Sequence, residues 1–392
     1  MRKQIIYILT VILLFATAHA TAQNESYRSI ENKGYSIVNI ENNGVRQFMN
    51  DRSYDNPSLV GNYNFSVVKK YSKGYPSKPD GIRVSWTRIH AIEEISTIAV
   101  MLVESEEERV VSPFDGDMIY EDVKYFFPDI HNNDYLLCNM RPKMYCYYQI
   151  IEILKNGQKV LLKKGQFYTT GRVRMLRVDG MVNVRDFGGW KTSFGKPVAY
   201  GKLFRGNRPE GITSVGRNDF VKNEHISVDL DLRGSNLSRS PMGPVDEVEY
   251  YCTNNARYKL AITGNTRPLV KDLETIATVL CRGGNVFLHC NHGANRAGTL
   301  SFIIEGILGL SEADLSREYE LSSFAYGLSR TKSLGEMFPV IRSYGKPGDD
   351  LAQCFYNFAL SIGVSEDALD TIRSVMLEIP QDDPLILKAH RR

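Results

Sequence analysis

Two rhythms divide this chain. From about residue 34 to residue 170, apolar and polar positions mainly alternate with a period of two, the spacing of half-buried β-strands. In residues 81–87 (GIRVSWT), Ile82, Val84 and Trp86 share one face while Arg83, Ser85 and Thr87 take the other. Residues 97–103 read as a second apolar strand. Residues 145–154 and 159–163 flank Asn156-Gly157, a pair suited to the positive φ angles of a tight hairpin turn. Short strands separated by turn residues predict an all-β sandwich over 30–171. The run ESEEE at 104–108 reads as a solvated loop, because metal ligands need a fixed geometry that a flexible charge run lacks.

Beyond residue 172 the rhythm lengthens. SVDLDL at 227–232 and NVFL at 285–288 are short buried strands, and 269–280 and 296–308 carry helical spacing. Gly309 stands where a helix C-cap belongs, and Ser311 with Asp314 opens the next helix. Gly363 and Ser365 repeat that layout before a last helix over 366–378. Strands alternating with helices predict an α/β domain over 172–392, with a mostly parallel central sheet flanked by helices.

Composition agrees with two folded units. The 392 residues are 43% hydrophobic and 24% charged, enough apolar material for a core in each. Lys plus Arg is 48 against 45 for Asp plus Glu, and a net +3 lacks the basic surplus of a nucleic-acid binder. Arg2 and Lys3, the apolar run at 5–16 and small residues at 18, 20 and 22 predict a signal peptide over 1–22. That run is shorter than the roughly 18 residues a membrane span needs. The expectation is an exported protein, periplasmic or extracellular, with no transmembrane segment in the mature chain. Six cysteines are too few for a disulfide scaffold at this length.

The sharpest chemical signal is NVFLHCNHGANRAGT at 285–299. A buried strand delivers Cys290, a tight loop follows, and Arg296 opens a helix with Leu300, Ile303, Ile304 and Ile307 on its buried side. A loop curling over a helix N-terminus turns successive N–H groups inward. Asn291, His292, Gly293, Ala294 and Asn295 would thus cradle a phosphate dianion. Arg296 adds a planar fork for two phosphate oxygens. A cysteine in such a positive field attacks as a thiolate, here in line with a bound phosphorus atom. His289 is read as orienting the loop by hydrogen bonding, not as a base. A metal site from His289, Cys290 and His292 is disfavoured, because adjacent residues do not readily face one ion together.

The HCxxGxxR loop resembles the signature of the cysteine-dependent protein tyrosine and dual-specificity phosphatases. NVRDFGGW at 183–190, GKLFRG at 201–206 and DLRG at 231–234 narrow the resemblance. In that order they are similar to motifs of the exported bacterial branch that contains mycobacterial tyrosine phosphatase B. EYELSSF at 318–324 is similar to that branch's helix after the active-site helix. The resemblance runs from about 172 to 377. It implies that Cys290 forms a phosphocysteine, that Arg296 holds the phosphate, and that phosphate monoesters are hydrolysed without metal or other cofactor. Phosphotyrosine is the first substrate implied, with phosphoinositides and other organic phosphates as rivals. The partner is then a phosphorylated protein, small molecule or lipid.

Two positions depart from that branch. Its general acid is usually offered by an Asp directly before the loop Arg, where this chain has Asn295, and the hydroxyl residue after the Arg is Ala297. The acid role then falls first to Asp231, at the C-terminal end of its strand, and second to His292. The alternative is a slow or inactive protein that binds phosphorylated ligands. Arg185 and Asp186 read as structural, while Arg205 and Arg233 stay open between an ion-pair network and the pocket mouth. Trp86, Pro142 with Tyr145, and GQFYT at 165–169 look like a fibronectin type III or related Ig-like module. Its contact, protein or carbohydrate, or a spacing role, stays open.

Overall fold

The computed structural model describes residues 27–52, 65–109, 114, 122–244, 246–330, 334–381 and 383. The expected signal peptide lies outside the described residues. Two compact units divide the chain: 1–39, 82–135 and 142–170 in the first; 40–81, 136–141 and 171–392 in the second.

The first unit is built on β-strands. Strand β1 (Ser36–Asn39) runs parallel to β7 (Lys159–Thr170); β7 pairs antiparallel with β6 (Tyr145–Leu154), β6 with β3 (Ile95–Ser105), and β3 with β4 (Lys124–Phe126). Strands β2 (Ile82–Ser85) and β5 (Asp134–Leu137) form a separate two-stranded sheet. The expected hairpin is present between β6 and β7, with Gly157 at φ 86° in its turn. Along β6 the expected alternation holds from Tyr148 on, with Tyr148, Ile150, Glu152 and Leu154 buried, while Cys146 and Tyr147 before them are buried in succession. Strand β3 departs from it. Ile98, Ala99, Val100, Leu102 and Val103 are all buried, so this central strand is covered on both faces.

Residues 40–81 do not follow the expected 30–171 boundary. Helix α1 (Asn43–Asn50) buries Val45, Phe48 and Met49 in the same apolar cluster as Phe324, with the Phe48 and Phe324 rings 5.0 Å apart. Val68 of helix α2 (Phe65–Ser72) joins that cluster. The Glu41 carboxylate accepts the main-chain N–H groups of Arg172 and Val173 at 2.9 and 2.8 Å. A short helical stretch cannot bury an apolar face alone, so tertiary contact rather than chain order decides its unit.

The second unit carries a five-stranded sheet in the order β11 (Glu249–Cys252), β10 (Ile226–Asp231), β12 (Asn285–His289), β9 (Leu203–Gly206), β8 (Arg185–Asp186). The first three pairings are parallel and β8–β9 is antiparallel. Around the sheet lie α3 (Arg267–Cys281), α4 (Arg296–Ile307), α5 (Glu312–Tyr326), α6 (Leu351–Ser361) and α7 (Glu366–Leu377). Helix α4 has no polar face: every residue from Ala297 to Ile307 is buried, and Phe302 meets Phe355 of α6 at 4.9 Å. The predicted caps are in place. Gly309 has φ 83°, Ser311 accepts the N–H of Asp314, and Ser365 accepts that of Ala368. Among the described residues no helix is long and apolar enough to cross a membrane. All six cysteines are free.

Candidate active site

Parallel strands place their following loops on one edge of a sheet, where α/β proteins form their sites. Strand β12 ends at His289, so Cys290 emerges between the ends of β10 and β9. Residues 290–295 then curl into the N-terminus of α4. At the turn, Gly293 has φ 66°, and a Cβ there would lie 2.4 Å from the carbonyl of Gly206 at the end of β9. Any side chain would push the loop off the sheet edge.

A layer of buried ion pairs holds the loop from behind. The Arg205 guanidinium donates to the carbonyls of Gly293 (2.8 Å) and Ala294 (3.5 Å) and pairs with Glu318 of α5 at 2.7 Å. Engaging those carbonyls from outside leaves the loop's N–H groups free to turn toward the cleft. Arg185 pairs with the other Glu318 oxygen at 2.7 Å and donates to Asn183 Oδ1. Asn183 Nδ2 in turn donates to the His292 carbonyl at 2.9 Å. Burial would raise the Glu318 carboxyl, but the two guanidinia outweigh it and hold the group below its ordinary range. Glu305 of α4 is buried too, and burial with the nearby Glu318 charge pushes its carboxyl well up. Asp186 does not pair with its neighbour Arg185. It takes Arg174 at 2.9 Å and caps the N–H groups of Gly188 and Gly201.

Cys290 is buried at the floor of an open cleft of about 440 Å³. The cleft is lined from the loop by Asn291, His292, Ala294, Asn295 and Arg296, and from elsewhere by Arg257, Tyr258, Ser329 and Arg330. Cys290, Arg296 and four of the five loop positions expected to bind phosphate are thus brought together, while Gly293 serves as the buried hinge. Arg296 donates to the Leu232 carbonyl at 3.4 Å, which ties the guanidinium to the end of β10. His289 is fully buried, its Nε2 2.9 Å from Asp229 Oδ1 and its ring stacked on Phe287. The expected hydrogen bond from its ring to the loop is not formed; His289 meets β10 through Asp229 instead.

Asp231, the first expected acid, is not among the cleft residues. Its carboxylate is fully buried and takes two bonds from the Arg233 guanidinium at 2.8 Å, plus Ser235 and Tyr250 hydroxyls at 2.8 Å. Burial alone would raise its pKa, but those bonds and the nearby His289 hold it well below the carboxylate range. A carboxylate so held has no proton to donate at neutral pH, which removes the reason for giving it the acid role. Arg233 also reaches Glu210 at 2.6 Å, so it belongs to this pair and not to the pocket mouth. His292, the second choice, does line the cleft, but burial and the charges of Arg330 and Arg208 lower its pKa and favour the neutral ring. Among the described residues, no Asp or Glu lines the cleft.

Sequence reasoning missed the cleft's other wall. Arg330 lies over the Tyr326 ring at 4.5 Å, and Tyr326 donates to the His292 carbonyl at 3.1 Å. Tyr258 donates to Asn295 Oδ1 at 2.7 Å. Neither segment carries a spacing signal linking it to the loop. Comparison with known proteins places the site in context. A family model described as "Tyrosine phosphatase family" matches residues 176–378. No curated protein matches the chain.

Proposed function

The chain belongs to the tyrosine phosphatase family, and from that premise we propose that it hydrolyses phosphate monoesters through a phosphocysteine on Cys290. One observation carries this reading: a cysteine at the floor of a cleft whose loop carbonyls are held outward by Arg205, with Arg257, Arg296 and Arg330 around it. A phosphate dianion would lie between the loop N–H groups and the Arg296 fork, with Cys290 Sγ beneath the phosphorus. Attack forms the S–P bond as the P–O bond to the leaving group breaks. Water then attacks phosphorus and frees the thiolate.

Phosphotyrosine is the substrate proposed first, in keeping with the matched family's description. Inside that family, the upstream motifs support the branch similar to mycobacterial tyrosine phosphatase B. Asn183 of the first motif donates to the His292 carbonyl of the loop, and Arg185 holds Asn183 from behind. The first unit is proposed to be a fibronectin III or Ig-like module. Its strand order, with β1 parallel to β7, an antiparallel β7–β6–β3–β4 run that crosses over between β6 and β3, and a separate β2–β5 pair, supports that. Export after removal of residues 1–22 completes the proposal, with periplasm and exterior both open.

Asn295, Ala297 and the missing carboxyl favour a second reading, a protein that binds phosphorylated ligands and turns them over slowly. The experiment is phosphate release by the protein beside Cys290→Ser, with a chelator present, on 4-nitrophenyl phosphate, a phosphotyrosine peptide and a phosphoinositide panel. Turnover lost in Cys290→Ser is expected. Absence of turnover on the activated ester, with vanadate still bound, would leave the binding reading alone.

A further inference from the structure

We propose that Tyr258 is the proton donor to the leaving oxygen, doing the work of the carboxyl that position 295 lacks. This rests on the phosphatase reading above and adds the residue that decides which leaving groups the site can release. The argument begins with where the phenol is held. Tyr258 lines the cleft, is only 8% exposed, and its hydroxyl lies 2.7 Å from Asn295 Oδ1, beside Arg296 at the mouth of the loop. Its main chain is tied to the same helical turn. The Tyr258 N–H donates to Thr299 Oγ1 at 2.9 Å, and Thr299 Oγ1 donates to the Asn295 carbonyl at 2.8 Å.

That placement carries a backbone cost. Tyr258 has φ 56° and ψ −143°, a region that disfavours any residue with a Cβ. Such strain costs on the order of 1–3 kcal/mol and persists where surrounding contacts over-determine it, commonly at functional sites. Here the Thr299 and Asn295 bonds fix both ends of the residue over the loop.

What separates Tyr258 from the cleft's other protic groups is what it touches. Both tyrosines donate to an oxygen, Tyr326 to the His292 main-chain carbonyl and Tyr258 to the amide side chain at position 295, so only Tyr258 stands where the absent carboxyl would be. His292 is shifted toward its neutral form. Ser329 is an alcohol, too weak an acid to assist a phenolic leaving group. As a phenol Tyr258 carries its proton across the neutral range, and burial, which raises its pKa, keeps the proton there until the leaving oxygen takes on the departing charge.

The proton balance closes. As Cys290 Sγ bonds to phosphorus, the P–O electron pair passes to the leaving oxygen, which takes the Tyr258 Oη proton. The leaving group departs neutral and Tyr258 is a phenolate. In the second step water attacks phosphorus, its proton passes to the phenolate, and the S–P pair returns to sulfur.

Tyr258→Phe tests this across phosphate esters of graded leaving-group acidity, from 4-nitrophenyl phosphate to phenyl phosphate to an alkyl phosphate. The loss in kcat is expected to be about tenfold or less on 4-nitrophenyl phosphate and about 10²–10⁴-fold on the poorer leaving groups. The dependence on leaving-group acidity therefore steepens. Adding Asn295→Asp to Tyr258→Phe is expected to restore part of the loss on poor leaving groups only. A uniform loss across the series, or an equal rescue of all esters, would make Tyr258 a positioning residue and overturn the proposal. If Tyr258→Phe fails to fold, replacement by 3,5-difluorotyrosine is expected to lower the alkaline limb of the pH–rate profile, and an unmoved limb overturns it. Wild-type protein inert on 4-nitrophenyl phosphate would overturn the phosphatase reading itself. Turnover there with an unaltered Tyr258→Phe profile sinks only the proton-donor claim.

Discussion

Two sets of arginines occupy the second unit in opposite electrostatic settings. Behind the loop, Arg185 and Arg205 are fully buried and share the Glu318 carboxylate, while Arg174, also fully buried, pairs with Asp186 and Glu224. Around the cleft, Arg257, Arg296 and Arg330 have no carboxylate partner among the described residues. The shared Glu318 carboxylate ties Arg185 and Arg205 to α5, so these buried guanidinia shape the loop from behind and are closed to a ligand. Unpaired charges at an open cleft are hydrated until an anion replaces the water, and they keep their field for it. The same residue type builds the site in one layer and works in the next, and the carboxylate partner decides which.

Mutations that exchange these roles test the comparison. Glu318→Gln leaves two buried guanidinia without their shared carboxylate and is expected to destabilise the fold by about 3–5 kcal/mol, read as a shift in the urea midpoint. A shift under about 1 kcal/mol would mean that Glu305 ionises and takes over the pairing. Next in size, Arg296→Lys replaces a planar fork with a point charge. A loss of about 10²–10³-fold in kcat/KM is expected, with stability within about 0.5 kcal/mol of wild type. Loss of stability in parallel with activity would move Arg296 into the structural set.

Arg257→Ala removes an exposed cation from the rim. Its expected effect is about tenfold or less, a higher KM and a weaker fall of kcat/KM with added salt. An unchanged salt dependence would show that the rim charge does no steering. The smallest effect concerns pH. Asp231 has its folded pKa depressed, so its pairing stabilises the fold fully above the ordinary carboxylate range near about pH 4, and that contribution is lost as pH falls through the folded value. Asp231→Asn should flatten this acid limb in denaturation curves. Asp272 runs the other way. Burial raises it to about 7 despite bonds from Asn255 and Thr253, so stability declines as pH rises from about 4 toward 7. Asp272→Asn should remove that decline, and a curve still falling over this range would count against the assignment.

Much of this was legible in one dimension where the cause is local. The β6–β7 hairpin, the caps at Ser311 and Ser365 and the turn at Gly309 depend on neighbours within a few residues, and each is where the pattern puts it. Residues 290–296 form a contiguous loop, so the strand, the turn and the helix start all leave their marks together. Segment 40–81 was misassigned because its helices owe their unit to Phe324 and Arg172, far along the chain.

The chain order by itself determined the nucleophile's loop, because a thiol, a hinge glycine and an arginine within seven residues need only a strand before them and a helix after. Only tertiary structure decided which charges are free. Asp231 was drawn as an acid by its position at a strand end, yet Arg233 two residues on takes both of its oxygens. Arg257, Tyr258 and Arg330 reach the cleft from segments 30 or more residues from Cys290. Whether a titratable side chain does chemistry depends on what neutralises it, and that partner is chosen by packing rather than by sequence separation.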